Sequence, residues 1–82
     1  MTKSNPLFSR ITIDTKVMLG KPTIRGMRIT VEQILKSLSA GISQQDLLDE
    51  YPELEAEDFQ AVFAYVAALV EEEQVFPIQV SA

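Results

Sequence analysis

Apolar residues recur at two different periods along this chain, and the change of period divides it. In the first third the alternation is short: Ile11-Thr12-Ile13 runs apolar, polar, apolar with β-branched residues, a strand signal. Asp14-Thr15-Lys16 then turns the chain, and Pro22, which has no ladder donor, marks a loop or strand entry after Gly20-Lys21. In Thr23-Ile24-Arg25-Gly26-Met27-Arg28-Ile29 a glycine sits among β-formers, the pattern of a tight hairpin or a glycine-kinked strand. Residues 10–30 therefore read as a small sheet with Ile11, Ile13, Ile24 and Ile29 facing inward. Residues 1–9 read as a flexible, polar start.

From Thr30 the period becomes helical. Thr30 and Gln33 fit a capping box, and Val31, Ile34, Leu35 and Leu38 follow on one stripe. Gly41 suits the left-handed position that ends a helix, and Ser43 caps the next one, with Asp46 in its first turn. Leu47, Leu48 and Tyr51 are the apolar members of that helix, and Pro52 stops it. A third helix begins near Glu55, with Glu57 and Asp58 at its positive end. Phe59, Val62, Phe63, Val66, Ala67, Leu69 and Val70 give it a wide apolar face, that of a central helix or of a dimer seam. The expectation is a mainly α chain of three helices, at about 31–40, 44–51 and 55–73, forming one domain over 10–73 behind a small N-terminal β-hairpin. Residues 74–82 read as an extended apolar tail, with Phe76, Ile78 and Val80 as its partner-binding residues.

Composition narrows the functional classes. With 82 residues there is one core, and its stability margin is thin. There is no Cys and no His, so disulfides and the common zinc sites are excluded, and a partner chain is the remaining source of added stability. No apolar run is long enough to span a membrane, and the start has no apolar leader, so the cytoplasm is the expected location. The net charge of −5 conceals a polarity: all seven basic residues lie in the first 36 positions, while residues 43–82 hold ten acids and no base. Such asymmetry points to an electrostatic task, or to neutralisation of one half by the other within the fold or across a dimer.

Candidate chemistry is sparse. Without His or Cys the common nucleophilic arrangements are missing, no glycine-rich phosphate loop is present, and neither a cofactor nor a metal is implied. The expectation is that the chain is not an enzyme. The turn at Gly41 has the shape of a helix-turn-helix, with Gln44 and Gln45 placed to meet a groove. The helix that would read DNA, however, carries Asp46, Asp49 and Glu50 and no base, and a duplex repels it. If DNA is bound, the reader is the basic hairpin, where Lys21, Thr23 and Arg25 alternate onto one face and a dimer offers a two-stranded ribbon.

Taken in order, Ile11-Thr12-Ile13-Asp14, Met18, Gly20-Lys21-Pro22-Thr23-Ile24-Arg25-Gly26-Met27-Arg28-Ile29, Gly41-Ile42-Ser43, Asp49-Glu50-Tyr51-Pro52 and Leu54 resemble the bacterial domain-of-unknown-function family 433, over roughly residues 10–70. The sequence departs from that pattern at Leu19, where a second Gly is common, at Met27, where Thr is common, and at Glu55-Ala56, where Thr-Pro usually starts a helix. The resemblance implies a homeodomain-like, helix-turn-helix type bundle. It also implies an antitoxin role: a non-catalytic protein that binds and neutralises a PIN-like ribonuclease toxin. Such nucleases have acidic sites, so Lys21, Arg25 and Arg28 are the expected partner- or DNA-binding residues, unless the two arginines form salt bridges to the acidic helices. A homodimer is expected. The alternative is a dimeric DNA-binding regulator that uses the basic hairpin.

Overall fold

The computed structural model describes residues 6–72. Three α-helices follow a two-strand antiparallel pair, so the fold is mainly α. The chain enters through a single 3-10 turn, Pro6–Arg10, which packs on the third helix; Ser9 Oγ donates to Pro6 O (2.9 Å). This corrects the reading of 1–9 as wholly flexible: the half-buried Leu7 and Phe8 tie residues 6–9 to the domain, and residues 1–5 lie outside the described residues. Strand β1 (Ile11–Thr12) pairs with β2 (Thr23–Ile24), Ile11 opposite Ile24 and Thr12 opposite Thr23. Ile24 is fully buried and Ile11 half-buried. Ile13 was expected to face inward but is 61% exposed, because the strand ends at Thr12 and leaves Ile13 outside the sheet.

The doubt between hairpin and kinked strand resolves as a turn. Met27 N donates to Ile24 O (2.8 Å) across Arg25 and Gly26, both at positive φ (46° and 75°), the signature of a type I′ turn. Ile24 N then bonds Ile29 O (3.0 Å), and a single bridge joins Thr23 to Thr30.

Helix α1 (Val31–Ser39) starts as its sequence dictates. Thr30 Oγ1 accepts from Gln33 N (2.9 Å) and Gln33 Oε1 accepts from Thr30 N (2.9 Å). It ends at Gly41 (φ 96°) with Gly41 N bonding Leu38 O (3.0 Å) and Ile42 N bonding Ser37 O (3.0 Å), a Schellman closure. Helix α2 (Gln44–Glu50) is capped by Ser43, whose hydroxyl accepts from Asp46 N (3.0 Å). Helix α3 spans Ala56–Glu72.

The core is Ile24, Val31, Ile34, Leu47, Leu54, Phe59 and Val62, drawn from the hairpin and all three helices. Helix α3 has 17 residues and α1 has 9, lengths of about 25 Å and about 13 Å. Burial along α3 is uneven. Phe59 and Val62 are buried, whereas Phe63, Leu69 and Val70 are 45–53% exposed. The apolar face expected to run the whole helix is core for two turns, and thereafter half-buried at Val66, which still packs against the core, and exposed at Leu69 and Val70.

Candidate functional site

Asp58 organises the polar interior. It sits three residues past Glu55, the residue that opens α3, and accepts Glu55 N–H at 2.8 Å, half of a capping box. At that position its carboxylate faces the hairpin and is fully buried. Arg25 donates to it twice, Nε to Oδ1 (3.1 Å) and Nη2 to Oδ2 (2.9 Å), and Arg10 donates through Nη1 (2.9 Å). Arg25 Nη2 also reaches Glu53 O (2.7 Å), and Arg10 spans Glu55 and Glu57, each at 2.8 Å. Burial pushes the Asp58 carboxyl up, but the Arg25 guanidinium, the Glu55 N–H and Arg10 together outweigh it and hold the group below its ordinary value. Hydrogen bonds donated to Glu55 and Asp58 raise Arg10, and those donated to Asp58 raise Arg25, so both stay charged.

This clamp decides what the basic hairpin presents. Arg25 is committed to Asp58 and is not part of a free basic finger; of the readings of the two arginines, salt bridging to an acidic helix holds for Arg25. Thr23 is buried, so Lys21, Thr23 and Arg25 do not form one outward face. Lys21 Nζ lies 3.0 Å from Glu32, which also meets Lys36 at 3.2 Å; these two lysines hold the Glu32 carboxyl below its ordinary value. Arg28 is exposed and, with Lys16, forms no ion pair among the described residues. The tail residues Phe76, Ile78 and Val80 lie outside the described residues.

Two apolar grooves flank the second half of α3. One, of about 230 Å³, is lined by Phe8, Ile11, Ile13, Tyr65, Ala68 and Leu69. The other, of about 270 Å³, runs along Pro22, Val31, Leu35, Tyr65, Val66 and Leu69. Tyr65 and Leu69 line both, so the grooves are two sides of one apolar ridge. The sequence places Leu69 on the helix face and Asp58 at the helix start, but gives no sign of Tyr65 or Phe8 as groove residues or of the contact Asp58 makes with the hairpin. Asp58 has an ordinary local reason to stand at a helix start, which hides its tertiary role. Among the described residues no group of three His, Cys, Asp or Glu is arranged to hold a metal ion, and no helix is long and apolar enough to cross a membrane.

Fold and surface together define a small three-helix domain whose N-terminal hairpin is clamped by arginines to its third helix. The model of a family described as proteins of unknown function, DUF433, matches residues 11–66, and the chain belongs to that family. An uncharacterized protein, y4eO, of Sinorhizobium fredii is 31% identical over 58 residues, which cover 71% of this chain and 26% of the relative. The chain thus spans far less than two thirds of that relative's length. No solved structure matches.

Proposed function

We propose that this chain is a non-catalytic, antitoxin-like binding module that neutralises a PIN-like ribonuclease in the cytoplasm. The observation that carries the reading is the apolar ridge of α3, with Tyr65 and Leu69 between two grooves; Phe63 and Val70 are exposed elsewhere on the same helix. Contiguous exposed apolar surface on a small domain marks a contact with another protein. Two grooves leave room for a second copy of the chain on one side and the nuclease on the other, so a homodimer belongs to the same reading.

The distribution of cations favours a protein partner over DNA. A duplex is held largely by neutralising several phosphates with Lys and Arg. Here Arg10 and Arg25 are bound to Asp58, and Lys21 and Lys36 share Glu32, which leaves Lys16 and Arg28 as the unpaired cations among the described residues. A dimeric DNA-binding regulator would have to work with that reduced set.

The test is RNA cleavage by a purified PIN-like nuclease from the same source. Equimolar addition of this protein is expected to suppress cleavage at moderate salt. The Phe63→Asp/Leu69→Asp variant, altered only at exposed positions, should keep its helical signal and lose the suppression. Unchanged cleavage at a large molar excess of the folded wild-type protein would refute the proposal. Retention on a duplex that collapses between low and moderate salt would install the regulator reading instead.

A further inference from the structure

The loop joining the two strands holds backbone that its residue types disfavour. Met18 and Leu19 have φ of 50° and 59°, followed by Gly20 at 83°, so three successive residues turn left-handed. Left-handed backbone costs an L-residue about 1–2 kcal/mol, and neither Met nor Leu has a polar side chain to offset it locally. The turn is held by Gly20 N to Val17 O (3.1 Å) and Lys21 N to Met18 O (3.1 Å), and its approach by Asp14, which accepts Lys16 N (2.8 Å) at Oδ1 and Val17 N (2.8 Å) at its carbonyl. The result is that Leu19 is presented at 92% exposure. Strain of this kind persists where surrounding structure enforces it, and it clusters at ligand clamps.

Beside Leu19 lies a depression of about 390 Å³ lined by Thr15, Lys16, Met18, Leu19, Lys21 and Arg28. It carries three cations and no carboxylate. Lys16 and Arg28 have no ion-pair partner among the described residues, and Lys21 is held by Glu32 from outside the lining. Its apolar part is aliphatic, from Met18 and Leu19, with no aromatic ring on which a base could stack. The chemistry matches a carboxylate with an aliphatic neighbour and does not match a nucleotide.

We propose that this depression is a docking subsite for an acidic side chain flanked by an apolar residue on a protein partner. The carboxylate lies between Lys16 and Arg28, and the neighbouring aliphatic group packs on Leu19. This rests on the reading of the chain as a protein-binding module, and adds a second contact separate from the α3 ridge. The basic hairpin thereby keeps a role in recognition, through Lys16 and Arg28 and not through Arg25.

The experiment is an amide NMR titration of the full chain with an acetylated, amidated Leu-Glu-Leu-Glu-Leu peptide. Saturable shifts are expected at Lys16, Leu19, Lys21 and Arg28, about tenfold or more weaker for the same peptide with Gln in place of Glu, the scale set by losing one charge-assisted hydrogen bond. Lys16→Glu/Arg28→Glu should abolish the shifts, and Leu19→Ser should weaken them, with both proteins still folded because all three positions are exposed. Equal shifts from inorganic phosphate would overturn the apolar half of the proposal. Shifts from a single-stranded oligonucleotide with none from the peptide would overturn the whole. Peptide binding that survives while no nuclease is inhibited would retain the subsite and discard the antitoxin reading.

Discussion

Replacing Asp58 with asparagine removes a negative charge from a fully buried position and leaves two guanidinium groups aimed at an amide. Arg10 retains Glu55 and Glu57, both at 2.8 Å. Arg25 retains only Glu53 O, and two of its donors then face a group that can itself donate. Breaking a buried ion pair from one side costs about 3–5 kcal/mol, and because both arginines are partly exposed the lower end, about 3 kcal/mol, applies. Against a total of about 4–12 kcal/mol for a chain of this size, that is a large share. With a urea slope of about 1 kcal/mol/M, the midpoint followed by circular dichroism at 222 nm falls by about 3 M. The pH dependence gives an independent check. The folded carboxyl is held below its unfolded value of about 3.9, so its stabilisation is complete above that value and is lost as pH falls through the folded value. Asp58→Asn should flatten the acid limb of stability against pH. A midpoint change under about 0.5 M, the equivalent of a surface pair, together with an unaltered acid limb, would refute the argument that Asp58 holds hairpin and helix together.

Two further outcomes follow from local geometry. Thr30→Ala removes the acceptor for Gln33 N and should cost about 1 kcal/mol in the same denaturation assay, while Thr30→Ser should recover most of it. Leu19→Gly relieves left-handed backbone at a side chain that buries almost nothing, so a gain of about 0.5–1 kcal/mol is expected; a loss would mean that Leu19 packs in a way its exposure excludes.

What could be read from the sequence was what local chemistry determines. The Thr30–Gln33 box, the Gly41 closure and the Ser43 cap each involve residues within five positions, and each is present where its residue types place it. The Arg25–Asp58 and Arg10–Asp58 bonds join residues 33 and 48 positions apart, and no periodicity encodes them. The left-handed Met18 and Leu19 were equally hidden, since neither residue type signals positive φ; the departure from glycine at position 19 was the one mark of it. The exposure of Phe63, Leu69 and Val70 depends on which elements pack against α3, which the apolar spacing of α3 alone does not carry.

The arginine clamp also has a consequence for the order of events at the ribosome. Arg10 and Arg25 are synthesised 48 and 33 residues before the Asp58 carboxylate that binds them. At about 5–20 residues per second Arg10 precedes its carboxylate by roughly 2–10 s and Arg25 by roughly 2–7 s. During that interval the two strands of two residues each have no buried counter-charge to anchor them, and the core lacks Phe59 and Val62. A nascent chain halted before residue 58 therefore has no stable partial fold to adopt.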